Sequence, residues 1–279
     1  MKLDAGLYFV ATPIGTARDI TLRGLDILAS ADVLAAEDTR TLRRLMQIHG
    51  VALEGRQIVA YHDHNGAKAR PQILRALREG RSVAYASEAG TPLVADPGFQ
   101  LAREAMAEGL PVTSAPGPSA VMAALTLSGL PTDRFLFAGF PPASKGARQS
   151  WLAEVLAVPA TVVIFESAKR INRILGEMSD KAGEREAAVC RELTKRFEEA
   201  RRGTVAELAK SLEGESLKGE IVLVIDRDRR EAAADDMDDA LDKALLEMSV
   251  KDAAGFVAEQ LGLPKRQVYQ AALQREKPE

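Results

Sequence analysis

The sequence is poor in the residues on which several classes of protein depend. Its 279 residues include one cysteine, Cys190, and three histidines. A single cysteine excludes a disulfide framework within the chain, and three histidines leave few ligands for a metal site. No apolar run approaches the length of a membrane span, and a net charge of −3 gives no strongly basic total for binding free nucleic acid. Cys190 lies in a strand-like run, and we predict that it is a buried structural thiol.

The composition is that of a globular protein. Hydrophobic residues make up 46% of the chain, which is enough apolar material for a core, and the length suits two or three domains. Residues 1–6 run directly into a strand-like segment and do not resemble a signal peptide. We therefore expect a cytoplasmic location.

Strands and helices alternate regularly through the first part of the chain. Short apolar runs, each ending in a polar cluster, are followed by stretches with apolar residues at helical spacing. This rhythm predicts a doubly wound, mainly parallel sheet over residues 1–118, with Pro71 opening one of its helices. Because the carboxyl ends of parallel strands meet at one edge of a sheet, the polar clusters are expected to converge there.

The rest of the chain divides into three parts. Residues 119–226 predict a second α/β domain with some antiparallel strands, in which Arg191–Arg202 is a local basic cluster. The acidic stretch 227–242 predicts a solvated linker. Residues 243–279 predict two short helices around a glycine turn. This pattern is typical of a nucleic-acid-binding helix pair and equally of a small bundle that packs on the body.

One stretch, Ser87–Gly98, stands out between a predicted strand and a predicted helix. The connection takes about a dozen residues where a few normally suffice. Pro92 and Pro97 restrict its backbone, while Gly90 can adopt angles that other residues resist. The loop is therefore shaped, and it lies where α/β proteins place ligands. We predict a binding site here.

The common nucleotide-binding motifs are absent. There is neither a P-loop sequence nor a glycine-rich dinucleotide fingerprint after the first strand. His62 and His64 are predicted to form part of a polar site wall. Glu37 and Asp38 could be a carboxylate pair, although capping of the following helix explains Asp38 equally well.

Several stretches together resemble one family. Ser87–Gly98 is similar to the signature of the bacterial 16S ribosomal RNA ribose 2′-O-methyltransferases, which lie within the tetrapyrrole methylase superfamily. The other matching stretches keep their order and span nearly the whole chain: Thr12–Gly15, Ala36–Arg40, His62–Asn65, Pro116–Pro118, Phe165–Ser167, Arg191–Lys195 and Lys218–Glu220.

The resemblance implies a fold, a reaction and partners. The fold is the two-domain α/β fold of the tetrapyrrole methylases (class III S-adenosylmethionine methyltransferases), with a small C-terminal helical domain and a cofactor cleft between the large domains. The reaction is methyl transfer from S-adenosylmethionine to the ribose 2′-hydroxyl of a cytidine in the decoding region of 16S ribosomal RNA. The partners are the small ribosomal subunit and a second copy of the chain, as a homodimer.

The resemblance also assigns roles to residues. The cofactor-binding residues would be Pro13, Gly90, Thr91, Leu93, Val94, Ser119, Ala120, Phe165, Leu193 and Glu220. From the residues themselves we predict that Arg40, His62 and His64 contact the substrate. Lys265 and Arg266 are predicted to do so as well, because adjacent cations at the start of a helix suit phosphate. Asp38 and Lys195 are the candidates for a catalytic base, with a phosphate contact as the alternative for Lys195 and a structural ion pair as the alternative for both. No metal ligand is predicted.

Two positions depart from the family pattern, and two other functions stay open. Glu88 stands where the family usually has Asp, and Thr16 where it usually has Asn. Glu88 either touches the ligand directly or braces the loop.

The first alternative function is methylation of a tetrapyrrole precursor, although such enzymes open with a glycine-rich loop that Thr12–Gly15 lacks. The second is a non-catalytic RNA-binding module.

Overall fold

The computed structural model describes residues 2–62, 64–261 and 263–275. None of the helices in these ranges is long and apolar enough to cross a membrane. The chain forms two five-stranded sheets and a C-terminal helical unit.

The first sheet is parallel throughout, as the alternation of strands and helices predicted. Its strand order is β3-β2-β4-β1-β5. The strands are β1 (Gly6–Val10), β2 (Val33–Ala36), β3 (Ile58–Ala60), β4 (Ser82–Ala86) and β5 (Val112–Ala115). The helices between them are α1 (Leu22–Ser30), α2 (Thr39–Ile48), α3 (Gly66–Arg78) and α4 (Phe99–Ala107), with a short 3-10 helix at Ala17–Asp19.

Alternate residues of each strand supply two separate cores. Val83 and Tyr85 of β4 join the cluster that packs under α3 and α4, whereas Ala84 and Ala86 join the cluster under α1 and α2. A parallel sheet is stable only when helices cover both faces. The two clusters show that both faces of this sheet are covered.

One predicted helix start is wrong. Pro71 was expected to open its helix, but α3 begins at Gly66 and contains Pro71 in its second turn. Asn65 explains the earlier start, because its side chain accepts a hydrogen bond from the backbone of His62 at 2.8 Å and donates one to the carbonyl of Ala60 at 3.0 Å. The turn after β3 is thereby closed before the proline is reached.

The second sheet is mixed. Its order is β6-β7-β10-β8-β9, and only β6 and β7 are parallel neighbours. The strands are β6 (Phe135–Gly139), β7 (Thr161–Ser167), β8 (Glu186–Arg191), β9 (Glu199–Thr204) and β10 (Glu220–Ile225). The helices are α5 (Ala120–Ser128), α6 (Lys145–Leu156), α7 (Ile171–Ala182) and α8 (Val205–Ser211). Helix α5 packs on this sheet through Val121, Ala124 and Leu125. The predicted division at 118/119 therefore lies just before the first helix that packs on the second sheet.

Strand β9 was not predicted. Its sequence is largely charged, and we interpreted the region as a basic cluster. The structure pairs β9 with β8 along six residues, and Glu199 receives both Arg191 at 3.0 Å and Arg201 at 2.6 Å. Charged pairs on an edge strand stabilise the sheet and discourage a further strand from adding. Lys195 pairs with Glu192 and Glu220, and Arg202 donates to the carbonyl of Leu127. Four of the five basic residues of the cluster are thus engaged within the protein.

The C-terminal unit contains three helices: α9 (Arg229–Ala244), α10 (Val250–Leu261) and α11 (Lys265–Arg275). The stretch 227–242, predicted as a linker, is therefore helical from Arg229 onward. Met237, Leu241 and Ala244 recur at helical spacing and are buried against α10 and α11, so the stretch has an apolar stripe despite its acidic total. Arg275 pairs with two of its carboxylates, Asp238 at 2.7 Å and Asp242 at 2.8 Å.

Candidate active site

The loops that follow the parallel strands meet at one edge of the first sheet and face the second sheet across a cleft. The cleft has a volume of about 340 Å³. It is lined by Ile14, Glu37, Glu88, Ala89, Gly90, Thr91, Val94, Ala95, Asp96, Ser119, Ala120, Phe140, Phe165, Glu166, Glu220, Ile221 and Val222. The predicted convergence of polar clusters is confirmed for the loops after β1, β2, β4 and β5.

The loop after β4 is pinned to the loop after β1. Thr12 and Gly90 exchange two backbone hydrogen bonds, of 3.0 and 2.9 Å. The Ser87 hydroxyl donates to the carbonyl of Gly90 at 2.6 Å, and the Thr12 hydroxyl donates to the carbonyl of Ser87 at 3.1 Å. Gly90 has φ +80°, a conformation that glycine adopts without a steric penalty. A floor of fixed backbone therefore lies beneath the cleft.

The far end of the same loop is tied to the strand that precedes it. One oxygen of Asp96 accepts hydrogen bonds from the buried Tyr85 hydroxyl and from the backbone of Gly98, both at 2.8 Å. Burial raises the pKa of Tyr85, and the nearby Asp96 raises it further, so the hydroxyl stays protonated as a donor. Between these anchors Leu93 and Ala95 have φ +71° and +55°. Such strain persists only where surrounding structure enforces it, and it is common at functional sites.

The second domain supplies an aromatic and acidic wall. Phe165 lies between Phe137 and Phe140, with ring centroids 4.7 and 5.6 Å away in edge-to-face contact. Glu166, the next residue, is buried and 3.1 Å from Arg170.

The charge of the cleft is one-sided. Five carboxylates line it, and within the described residues no lysine or arginine does. Two of these carboxylates pair with cations that do not line the cleft: Glu166 with Arg170, and Glu220 with Lys195 at 2.8 Å. Glu88 has an exposed side chain and no hydrogen-bonding or ionic partner in the described ranges. An acidic, partly aromatic cleft suits a cationic ligand.

A clasp joins the two domains at one side of the cleft. Thr16 donates its backbone N–H to the Thr194 hydroxyl at 3.1 Å and its own hydroxyl to the Thr194 carbonyl at 2.5 Å. Thr194 and Glu192 both lie in the left-handed region, with φ +60° and +51°. The hydroxyl of Thr16 therefore has a specific partner across the domains, although the family usually has Asn there.

The clasp leaves no space at Gly15. A Cβ atom at this position would lie 2.6 Å from the Thr194 hydroxyl and 2.6 Å from a side-chain carbon of Lys195. Real Cβ atoms do not approach other atoms so closely, so the glycine is required for the contact.

Seven of the ten predicted cofactor residues line the cleft: Gly90, Thr91, Val94, Ser119, Ala120, Phe165 and Glu220. The other three, Pro13, Leu93 and Leu193, do not. Leu193 is buried in the apolar cluster around α5, and Leu93 is 38% exposed. Three further lining residues are Glu37, Phe140 and Glu166. The sequence offered Glu37 as half of a carboxylate pair and Glu166 only as part of a matching stretch, whereas no local signal marks Phe140.

Asp38 and Lys195 both have structural partners. One oxygen of Asp38 accepts hydrogen bonds from the backbone N–H groups of Arg40 at 2.7 Å and Thr41 at 3.2 Å, which caps α2. These bonds lower the pKa of Asp38, and Asp38 does not line the cleft. Burial alone would lower the pKa of Lys195, but hydrogen bonds to Glu220 and Glu192 outweigh it and raise the pKa. The lowered pKa makes the Asp38 carboxylate a weak proton acceptor, and the raised pKa keeps the Lys195 side chain protonated. Both shifts therefore disfavour the role of a base.

The predicted substrate residues lie in two places. Arg40, His62 and His64 follow β2 and β3 at the edge of the first sheet that carries the cleft. The Arg40 side chain is 91% exposed, and the two imidazole centroids are 6.1 Å apart. Asp63, which is part of the matching stretch, lies outside the described residues. Lys265 and Arg266 are exposed at the start of α11.

Cys190 is buried, as predicted. Burial raises its pKa to about 11. A thiolate is the reactive form of cysteine, so this side chain is inert at neutral pH.

Comparisons with known proteins agree on the family. Residues 6–209 match the family model described as Tetrapyrrole (Corrin/Porphyrin) Methylases, and residues 231–276 match the RsmI C-terminal HTH domain. Three relatives carry the name ribosomal RNA small subunit methyltransferase I. They come from Mesorhizobium japonicum (48% identical, 98% of this chain and 92% of the relative), Pseudomonas aeruginosa (40%, 98% and 99%) and Escherichia coli O157:H7 (38%, 97% and 95%).

Solved structures agree on the fold. Cobalt precorrin-4 methyltransferase aligns with a TM-score of 0.58 at 18% identity, over 79% of this chain and 94% of the other. Diphthine synthase aligns with a TM-score of 0.59 at 17% identity, over 79% and 89%. At such identities the likeness concerns the fold alone.

The cap at Asp38 generates the first prediction. Asp38→Ala should lower the free energy of unfolding by about 1 kcal/mol, whereas Asp38→Asn should stay within about 0.5 kcal/mol, because Asn caps helices as well as Asp. The folded pKa lies below the usual 3.8, so the ionised carboxylate stabilises the fold above that pH, and this contribution is lost as the pH falls through the lowered value. Urea denaturation at neutral pH and near pH 3 measures both effects. Equal losses for Ala and Asn would contradict the capping role.

The clasp generates the second prediction. Gly15→Ala should weaken S-adenosylmethionine binding by roughly tenfold or more, about 1.4 kcal/mol, because the added methyl group separates the two sides of the cleft. Calorimetry measures the affinity. Gly176→Ala in α7 is the matched control, since nothing lies within 4 Å of its Cβ position, and it should bind normally. Normal binding by Gly15→Ala would show that the clasp does not shape the cleft.

Proposed function

This chain belongs to the tetrapyrrole (corrin/porphyrin) methylase family and, within it, to the ribosomal RNA small subunit methyltransferase I family. From that premise we propose that it transfers a methyl group from S-adenosylmethionine to small-subunit ribosomal RNA. The acceptor we propose is the ribose 2′-hydroxyl of a cytidine in the decoding region of 16S RNA. The name shared by its relatives supports the RNA substrate. The match of the C-terminal unit to a helix-turn-helix domain supports it further.

The observation that carries the proposal is the acidic cleft at the carboxyl edge of the first sheet. S-adenosylmethionine has a sulfonium cation, which carboxylates and aromatic faces both attract. Its carboxylate suits the N-terminus of α5, where Ser119 and Ala120 line the cleft and the helix dipole favours negative charge. Gly90 allows close approach of the backbone. The residues present therefore fit this cofactor.

The reaction is mainly a problem of orientation. The sulfonium is already reactive, so the protein must align the acceptor oxygen with the methyl carbon and exclude water. The loop from Ser87 to Asp96, which is hydrogen-bonded to Thr12, provides the rigid side of the cleft. The contact between Thr16 and Thr194 holds the opposite domain over it. The proposed step is direct transfer: the acceptor oxygen bonds to the methyl carbon as the bond from that carbon to sulfur breaks, and Cys190, buried and protonated, takes no part in it.

A ribose hydroxyl becomes a good nucleophile only as it loses its proton. Glu88 is better placed than Asp38 to accept that proton, because it lines the cleft with its carboxylate unpaired in the described ranges, whereas Asp38 is engaged as a cap. Of the two roles considered for Glu88, direct contact with the ligand is favoured, since no hydrogen bond ties it to the loop. Lys195, which is held between Glu192 and Glu220, serves to keep the clasp closed.

The substrate must be recognised by a chain that is acidic overall. Non-specific attraction to phosphate is therefore weak, and we propose recognition of the folded small subunit, with Arg40, His62 and His64 beside the cleft and Lys265 and Arg266 on the helical unit. We also propose a homodimer, from the family resemblance, and the cytoplasmic location that the sequence analysis predicts.

The third prediction concerns the acceptor. Purified protein with radiolabelled S-adenosylmethionine should methylate assembled small subunits faster than naked 16S RNA, and nuclease mapping should place the label on a ribose. Porphyrinogen should take up no label. Label on porphyrinogen would establish the tetrapyrrole alternative, and no transfer to any acceptor would support the non-catalytic one. Better activity on naked RNA would contradict recognition of the folded particle.

The fourth prediction separates the two candidate bases. Glu88→Gln should lower kcat for methyl transfer by about 100-fold or more, the usual contribution of a general base, with S-adenosylmethionine affinity reduced much less. Asp38→Asn is the matched control, because it removes the same charge but retains the cap, and its kcat should stay near that of the wild type. A lower kcat for Asp38→Asn than for Glu88→Gln would instead identify Asp38 as the general base.

A further inference from the structure

Phe140 lies at the mouth of the cleft, and its apolar side chain is largely exposed to water. It lines the cleft, yet it is 58% exposed. Phe165 contacts one part of the ring edge-to-face at 5.6 Å. The remaining surface of the ring faces solvent, where an apolar group is normally unfavourable.

The segment that carries Phe140 is rigid by construction. It begins after Gly139, which turns the chain at φ +74°, and continues through Pro141 and Pro142, whose rings fix the backbone. It ends at Ser144, immediately before α6.

Two arginines hold this segment from behind. Arg148 is only 2% exposed, and it donates to the carbonyl of Ala143 at 2.7 Å and to that of Pro142 at 3.3 Å. Its other nitrogens donate to both oxygens of Glu177, at 2.8 and 2.6 Å. This bidentate contact raises the pKa of Arg148 and lowers that of Glu177, so both groups stay charged.

The second arginine links the segment to the cleft wall. Arg170 donates to the carbonyl of Pro141 at 2.6 Å and pairs with the buried Glu166, which lines the cleft. Burying a guanidinium is costly unless its partners are well placed. Three consecutive carbonyls, those of Pro141, Pro142 and Ala143, are thus fixed by buried or partly buried cations, and the position of the preceding ring is set before any ligand arrives.

We infer that Phe140 is the stacking platform for the base of the nucleotide that is methylated. The inference rests on the proposed function. A ribose whose 2′-oxygen reaches into the cleft carries its base only one ring away, at the mouth. Bases that are splayed out of an RNA structure are typically held by stacking on aromatic side chains. A rigid, exposed ring binds such a base without losing conformational freedom.

The cofactor offers a second planar ring, its adenine. The half-buried Phe165 suits the enclosed cofactor, whereas Phe140 is 58% exposed and is open to a ligand that comes from solvent. Stacking of Phe140 on the RNA base and stacking on the adenine of the cofactor predict different results for the affinity of the cofactor. Loss of a base contact leaves cofactor affinity intact, and loss of an adenine contact does not.

The test compares four purified variants. Phe140→Ala should lower kcat/KM for methylation of small subunits by about 5- to 100-fold, the range expected for one base–aromatic stack, mainly through a higher KM. Calorimetric affinity for S-adenosylmethionine should stay within about twofold. Phe140→Tyr should restore activity, and Phe140→Leu, which keeps the apolar contact with Phe165, should not. Phe135→Ala, at the start of the preceding strand β6 and outside the cleft, is the matched control and should be fully active.

Each other outcome overturns the inference. Full activity of Phe140→Ala or Phe140→Leu would show that no aromatic face is needed. A parallel loss of cofactor affinity would assign the ring to adenine. A lowered melting temperature in Phe140→Leu, with no rescue by Phe140→Tyr, would make the residue structural. If the wild-type protein itself transfers no label to small subunits, the proposed function fails, and the inference that rests on it fails with it.

Discussion

Two backbone hydrogen bonds between Thr12 and Gly90 determine where the site of this protein lies. They join the loop after the first strand to the loop after the fourth, and these strands are neighbours in the sheet. The bonds involve no side chain, so they constrain the course of the chain rather than the identity of most residues. What they require is a residue that tolerates φ +80° at position 90. Ser87 reinforces this crossing through its bond to Gly90, and Asp96 holds the far end of the loop through Tyr85 and Gly98.

The charges are arranged around that fixed backbone in two layers. Carboxylates face the cleft, while the cations Lys195, Arg170 and Arg148 do not line it and hold loops in place. A cation in the cleft would repel a sulfonium, whereas a cation outside its lining can neutralise Glu220 or Glu166 without meeting the ligand. The same side chains thus stabilise the second domain and leave the cleft acidic. The surface ion pairs of β9 add little energy by comparison, because solvent screens them.

The parts of this architecture that could be predicted from sequence are those with a local cause. The parallel sheet of the first domain was predicted from its alternation of apolar runs and helical spacing, and the central loop was recognised from its prolines and glycines. Strand β9 was missed because its residues are charged and only its pairing with β8 makes it a strand. Asp38 shows a different limit: a carboxylate at the end of a strand serves equally well as a cap or as a base, and only its hydrogen bonds to Arg40 and Thr41 distinguish the two.

Phe140 and Arg148 illustrate why the remaining part of the site was inaccessible to sequence reasoning. An arginine within a helix is normally a solvated residue, and nothing near Arg148 in the sequence indicates that Glu177, 29 positions later, will bury it. The segment it holds would otherwise be an ordinary proline-containing connection. A buried guanidinium contributes little net stability in comparison with an apolar side chain of the same volume. Its advantage here is geometric: it offers several donors in one plane, which can fix consecutive carbonyls that no apolar side chain could hold. The position of the ring at the mouth of the cleft is therefore determined by a long-range polar contact, and the function we propose for that ring depends on it.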